Sequence, residues 1–323
     1  MISNQWYVVL DSKQLKSDKL LGIKRLNKQL VFYRESTGQV VCMEDKCSHR
    51  GVQLSIGSLN HNCVTCPFHG FEFNSDGECI KIPANGKDSP VSKRFNVRTY
   101  PTHEADGFIY IYNGENPDEL PKFFTNLSDV SYSTTYNNWN THYSRSIENQ
   151  LDVVHVPFVH SKTIGRGNKT LVNGPVTEID EKNMTIYVFN QVDEGQTPLK
   201  ASEMTDYDNY FKLKFIFPNL WQNKITDKLS IVAAFAPVDE ENTVIYLRTY
   251  QSFTNIPLIK QLAFVALNAY NLKVLNEDKR VVITQEPRNT HLDIKENLIP
   301  GDVPIGMYRK MVKTASQDRS DKN

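Results

Sequence analysis

Short apolar runs separated by tight polar turns occupy the first third of the chain. Residues 30–33 and 39–43 flank Ser36-Thr37-Gly38, and residues 71–73 and 78–82 flank Asp76-Gly77, two hairpin patterns. Phe108–Tyr112, a continuous FIYIY run, predicts a closing strand. The polar stretch 113–121, with Pro117 and Pro121, predicts a linker. The domain boundary falls in it, giving domains 1–115 and 116–323.

The pattern then changes. Residues 144–156 carry a helical period that runs into Pro157, and strand-like runs follow at 185–189, 211–217, 229–235 and 243–250. A long amphipathic segment over 257–284 predicts a helix, and the polar chain after Met311 is expected to fray. There is no internal repeat and no low-complexity segment. The longest apolar stretch, 258–272, is interrupted by Lys260, Gln261 and Asn268 and is too short to span a bilayer.

Composition narrows the function classes. The 323 residues hold 37 basic and 37 acidic side chains, so no net field draws nucleic acid or an anionic membrane to the protein. An apolar content of 39% and a charged content of 23% fit a globular chain long enough for two cores. The N-terminal residues lack a basic region followed by an apolar core, and a cytoplasmic protein is expected. All five cysteines, Cys42, Cys47, Cys63, Cys66 and Cys79, lie in the first third. An odd, clustered set argues against a disulfide scaffold and for a metal site in a reducing compartment.

Two of these cysteines sit in matched ligand pairs, Cys47-Ser48-His49 and Cys66-Pro67-Phe68-His69, separated by sixteen residues. Two thiolates and two imidazoles suit either zinc or a [2Fe–2S] cluster with two histidines on one iron. Zinc modules tend to pair like ligands locally, whereas here each loop gives one of each, as is needed if both loops reach both irons. Gly51 and Gly70 follow the pairs and allow the backbone to come close. These two motifs resemble the Rieske family. In the high-potential members each loop has a further cysteine, and a serine bonds a cluster sulfur; here Val52, Phe68 and Phe71 stand at those positions. The resemblance is therefore to the low-potential type of oxygenases and their ferredoxins. Cys42 and Cys79 read as buried small hydrophobes, and Cys63 has no assigned role.

A second constellation follows the linker. Asn149, Asp152 and His155 are spaced i, i+3, i+6, which on a helix places them on one face. Pro157 is expected to bend the chain before His160, bringing His160 beside His155 on one metal. The pattern N-x-x-D-x-x-H-x-x-x-x-H resembles the catalytic signature of Rieske non-heme iron oxygenases, and the resemblance extends from Trp6-Tyr7 to Tyr308-Arg309. In that family the third, carboxylate ligand lies in a Glu-Asp pair with Gln seven residues on. Glu277-Asp278 and Gln285 match, which implies Asp278; Glu277 and Asp293 are its competitors. Ile283 stands where family members often carry an acid.

The resemblance implies an α+β protein: an all-β Rieske domain, then a helix-grip (Bet v 1-like) catalytic domain with an antiparallel sheet and a long C-terminal helix. It implies one [2Fe–2S] cluster per subunit on Cys47, His49, Cys66 and His69, and one Fe(2+) on His155, His160 and Asp278. Asp152 is implied as a bridge between His69 of one subunit and His155 of the next in a homotrimer, and Asn149 as a supporting residue. The implied function is that of an α-subunit-only terminal oxygenase. It would use O2 and electrons from a separate NAD(P)H-dependent reductase, with or without a ferredoxin, to hydroxylate or demethylate a small aromatic, heterocyclic or alkaloid-like substrate. No nicotinamide or flavin fingerprint is present in the chain. The alternatives are an electron carrier with a non-catalytic ligand-binding domain and a zinc-stapled binding module. His61, His103, His142 and His291 read as surface or packing residues, and substrate-pocket walls are expected around residues 211–221.

Overall fold

A computed structural model of the chain describes residues 1–86, 89–291 and 294–317. It divides into two compact units, residues 3–121 and 122 onward, so the division lies at the end of the expected linker.

Among its described residues the first unit contains ten strands: β1 (Trp6–Asp11), β2 (Leu21–Arg25), β3 (Lys28–Arg34), β4 (Val40–Glu44), β5 (Ser58–Asn60), β6 (Cys63–Thr65), β7 (Glu72–Phe73), β8 (Cys79–Lys81), β9 (Thr102–Ala105) and β10 (Phe108–Tyr112). They form three antiparallel sheets, ordered β1-β10-β9, β2-β3-β4 and β5-β6-β7-β8. Both expected hairpins are present as the β3/β4 and β7/β8 pairs. Val31, Tyr33, Met43, Val64 and Phe73 pack into one buried cluster that includes the Cys47 and Cys66 side chains. Burying each large apolar side chain contributes roughly 1.5–3 kcal/mol, enough to hold the two ligand loops against a fixed wall.

The second unit contains β11 (Tyr132–Trp139), α1 (Tyr143–Leu151), α2 (Val156–Val159), β12 (Leu171–Asp180), β13 (Asn183–Gln191), β14 (Phe211–Ile216), β15 (Leu220–Thr226), β16 (Leu229–Pro237), β17 (Thr243–Gln251), α3 (Pro257–Val282) and α4 (Val303–Gln317). Its seven-stranded antiparallel sheet runs β11-β17-β16-β15-β14-β13-β12. β12 to β17 form a continuous meander, and β11 joins beside β17. The chain from β11 to β12 therefore crosses the sheet and delivers α1 and α2. α1 packs on β16, α3 on β11 and β17, and α4 on β12.

Helix α3 is fixed to the sheet by side-chain amides. Asn268 Nδ2 donates to Ser133 Oγ at 2.9 Å, and Asn271 Nδ2 donates to Thr249 Oγ1 at 2.9 Å. Phe264, Leu275, Asp278 and Val282 are its buried positions, so a carboxylate occupies a core-facing slot.

Four expectations need correction. Residues 144–156 are not one helix: α1 ends at Leu151, and Asp152 takes an extended backbone (φ −71°, ψ 120°). The Asp152 carboxylate accepts the Val154 N–H at 2.6 Å and the His155 N–H at 3.2 Å, competing with the helical pattern. Pro157 accordingly lies in the first turn of α2, where its missing N–H costs little, and causes no bend. The apolar positions of α3 are only partly buried: Phe264, Leu275 and Val282 are, whereas Leu258, Leu262 and Val265 are 72%, 62% and 59% exposed. The chain after Met311 continues as helix to Gln317.

Candidate metal centres

The two ligand loops of the first unit share one hydrogen-bond pattern. Cys47 N donates to Val52 O and Gly51 N returns to Cys47 O, at 2.8 and 2.9 Å; Cys66 N donates to Phe71 O and Gly70 N to Cys66 O, at 2.8 and 3.0 Å. Closing each loop requires a left-handed residue, and Gly51 (φ 75°) and Gly70 (φ 72°) supply it. Ser48 Oγ ties the first loop to Phe95 O at 2.5 Å.

The thiols lie inside and the imidazoles outside. Cys47 and Cys66 are buried, whereas His49 and His69 are exposed. The Nδ1 atoms of the two histidines face each other at 3.2 Å. Ligands about 2.1 Å from one ion and about 90–110° apart are separated by about 3.0–3.4 Å, so this spacing fits two nitrogens on one metal. The His49 ring stacks on Phe71, with centroids 4.8 Å apart and planes 1° from parallel. Burial pushes the Cys47 thiol up to about 11, so a bare thiolate is disfavoured there and a metal would supply the compensating charge. Two thiols and two facing Nδ1 atoms therefore fit a [2Fe–2S] cluster with mixed ligation. Cys42 and Cys79 are buried in strands, as expected.

The second unit brings His155, His160 and Asp278 together, with one potential ligand atom from each within 4.8 Å of the others. Asp278 Oδ1 lies 3.4 Å from His155 Nε2 and 2.9 Å from His160 Nε2, again the spacing of ligands on one ion. Asp278 is 3% exposed and His160 1%, yet Asp278 Oδ1 accepts no hydrogen bond. A buried carboxylate oxygen flanked by two imidazole nitrogens and lacking a donor fits a cation. Gln150 Nε2 donates to the other oxygen, Oδ2, at 3.4 Å.

The electrostatics agree. Burial would disfavour a charged His155, but Asp152 and Asp278 hold its imidazolium up to about 10. Burial would likewise raise Asp278, but His155 and His160 bring its carboxyl down to about 2. The site is built for positive charge, and two imidazoles with one carboxylate suit a divalent transition metal with open positions.

Glu277, a competitor for the third ligand, bonds the far edge of the His160 ring, Nδ1, at 2.8 Å, away from Asp278. Asp293 lies outside the described residues. Asn149 has a buried side-chain nitrogen with no hydrogen-bond partner. Asp152 Oδ2 lies 3.6 Å from His155 Nδ1.

Three features were not anticipated. Thr163 donates its hydroxyl to Glu277 Oε2 at 2.6 Å. Arg309 makes a two-pronged contact with the buried Glu148 at 2.8 and 2.9 Å. His142 is fully buried and accepts the Ser144 N–H at the start of α1.

No described helix is long and apolar enough to cross a membrane. A Rieske [2Fe-2S] domain model matches residues 5–101, and the vanillate O-demethylase oxygenase C-terminal domain model matches residues 139–317 of the 323. The chain is 34% identical to the oxygenase component of dicamba O-demethylase from Stenotrophomonas maltophilia over 49% of this chain and 48% of that protein. It is 30% identical to the iron-sulfur subunit TsaM1 of the toluene-4-sulfonate monooxygenase system of Comamonas testosteroni, over 55% and 52%. The matched stretches thus span about half, or less, of the curated relatives' length, down to 26% for chlorophyllide a oxygenase of Chlamydomonas reinhardtii. The fold matches the crystal structure of dicamba monooxygenase bound to dicamba with a TM-score of 0.76 at 21% identity, covering 99% of both chains. It also matches NdmA of Pseudomonas putida CBB5 with a TM-score of 0.78 at 22% identity, covering 98% of this chain and 92% of that one. With both domain models placed along its length, the chain belongs to the Rieske non-heme iron oxygenase family, with a vanillate O-demethylase-type C-terminal domain.

Proposed function

We propose that this protein is the terminal oxygenase component of a Rieske non-heme iron system that hydroxylates or demethylates a small aromatic, heterocyclic or alkaloid-like substrate. The observation that carries this reading is the buried, donor-free Asp278 Oδ1 between His155 Nε2 and His160 Nε2. An electron carrier would have no use for a second donor set of this kind. The relatives named as O-demethylase and monooxygenase components support the same reading.

In this reading Cys47, His49, Cys66 and His69 hold the cluster, and His155, His160 and Asp278 hold Fe(2+). When bound, the two groups supply stored electrons and a position for activating O2 beside the substrate. The protein's own work is placement. The matched loop turns hold the thiols inside and leave the exposed imidazoles where an electron partner can approach. Asp278, on the buried face of α3, brings a carboxylate against the buried His160 and the half-buried His155. Asp152 fixes the chain before His155 through two backbone hydrogen bonds, and its second oxygen is available to a histidine of a neighbouring subunit in a homotrimer. Asn149 supports the site from α1. Electrons come from a separate NAD(P)H-dependent reductase, directly or through a ferredoxin, in the cytoplasm.

The test is purification of the full chain with iron and sulfide analysis, followed by NADH-coupled oxygen uptake with a surrogate reductase across small aromatic and heterocyclic candidates. Three irons per chain and substrate-dependent uptake are expected. A colourless protein containing zinc would overturn the reading.

A further inference from the structure

The two metal-site histidines are held very differently. His160 donates from Nδ1 to Glu277 Oε2 at 2.8 Å, which leaves Nε2 as the unprotonated nitrogen facing Asp278. The same Glu277 oxygen accepts the Thr163 hydroxyl at 2.6 Å, and Thr163 also lies 3.3 Å from the His160 carbonyl. His155 has no such latch: its Nδ1 is buried without a hydrogen-bond partner.

We propose that Glu277 is a positioning residue for the mononuclear site: its carboxylate, steadied by Thr163, fixes the tautomer and ring orientation of His160. The inference rests on the reading that His155, His160 and Asp278 hold the metal.

The helix explains how one element does both jobs. Glu277 and Asp278 are consecutive on α3, so their side chains leave it about 100° apart. Asp278 points into the buried slot, and Glu277 reaches round to the opposite edge of the same imidazole. His160 is thus gripped from both ring nitrogens by adjacent residues of a single rigid element. A carboxylate on the outer nitrogen of a ligating histidine also makes the inner nitrogen a stronger donor, an effect typically worth 10–100-fold in metal affinity. The Thr163 hydroxyl contributes by occupying the carboxylate in one orientation. The asymmetry leaves His160 as the fixed ligand and His155 as the one free to take a second partner on Nδ1.

The test uses the full chain with its cluster intact and oxidised, stripped of mononuclear iron by a chelator and titrated with Co(2+) against a competing indicator. The Co(2+) EPR pattern is recorded alongside, because the oxidised cluster is EPR-silent. E277A is expected to raise the Co(2+) dissociation constant about 10–100-fold, with the visible spectrum of the cluster unchanged. E277Q, which is isosteric and can still accept from Nδ1, is expected to recover much of that affinity while shifting the EPR pattern through loss of charge. T163V is expected to weaken binding by a few-fold. Unchanged affinity and EPR pattern in both E277A and E277Q would overturn the proposal. Failure of the wild-type chain to bind one Co(2+) that D278A removes would instead overturn the site on which it rests.

Discussion

Asp152 bonds the His155 backbone directly and stands off its ring: Oδ1 accepts the His155 N–H at 3.2 Å, while Oδ2 lies 3.6 Å from Nδ1. One carboxylate therefore caps the end of helix α1, shapes the loop that presents the candidate ligand His155, and keeps an oxygen in reserve. An amide can keep the turn but not the charge. D152N is expected to retain cluster and mononuclear iron while turnover falls about 10–100-fold. D152A, which also loses the turn, should lose iron as well. Metal analysis and oxygen uptake on the two variants would check this; equal iron loss in both would remove the charge from the explanation.

Removal of the Asp278 carboxylate leaves the buried His160 and the half-buried His155 with no anion between them. D278A is expected to abolish tight binding of mononuclear iron and to end turnover, without altering the cluster's visible spectrum. H155A should behave likewise. Iron quantitation after gel filtration separates the outcomes, since three irons falling to two per chain is expected and loss of all three would indicate global disruption instead.

What could be read in the sequence follows from how local each constraint is. Cys47, His49, Cys66 and His69 were legible as candidate ligands because thiolate and imidazole chemistry fixes both residue type and spacing within each loop. The second His pair was legible for the same reason, although the route between its members was not. Asp152 could equally continue a helix or cap a turn, and only its contacts with Val154 and His155 decide. Glu277 was visible as an acid near the site, but its partner His160 lies 117 residues away, and no local pattern encodes that distance. Among the strands, β11 (YSTTYNNW) is largely polar and half-exposed, so its pairing with β17 rather than its own hydrophobicity makes it a strand. β12 contains Gly174-Pro175, which reads as a break; at a sheet edge it is accommodated as a register shift between Asn173 and Val176.

The buried His142 and the half-buried His291 beside it make stability depend on pH. Burial lowers His142 to about 2 and His291 to about 3, and their rings are 5.0 Å apart. Both are neutral in the folded chain, whereas in the unfolded chain each gains a proton below about 6.5. The unfolded state then binds more protons, so their contribution is fully present above about pH 6.5 and is lost as pH falls towards about 3. The slope is up to about 1.4 kcal/mol per pH unit for each histidine. H142N, which can keep the helix cap, is expected to flatten the profile between pH 6.5 and 5. Urea midpoints of wild type and variant across that window would check it, and parallel profiles would contradict it.

Glu148 of α1 sits in a polar network with two arginines. Arg309 pairs with Glu148 and with Glu296 at 2.6 Å, and Arg145 reaches Glu296 at 2.7 Å and the Pro287 carbonyl at 2.8 Å. Glu148 is buried, so its charge is tolerated only because these guanidinium groups surround it. Arg309 is held well above the usual guanidinium range by the two carboxylates, so protonation of Arg309 does not change at any working pH. R309M keeps much of the stem's packing but leaves Glu148 with Arg145 alone, at 3.3 Å. Breaking a buried pair from one side costs about 3–5 kcal/mol, and the remaining guanidinium should bring the loss to about 2–3 kcal/mol. The double variant E148Q/R309M, with no buried charge left unpaired by the change, should regain part of that stability. Because α1 ends at Leu151, just before the loop bearing His155, R309M should also loosen that loop, seen as faster loss of mononuclear iron to a chelator while the cluster persists. A variant as stable as wild type, with unchanged iron release, would show that Arg145 alone suffices to compensate Glu148.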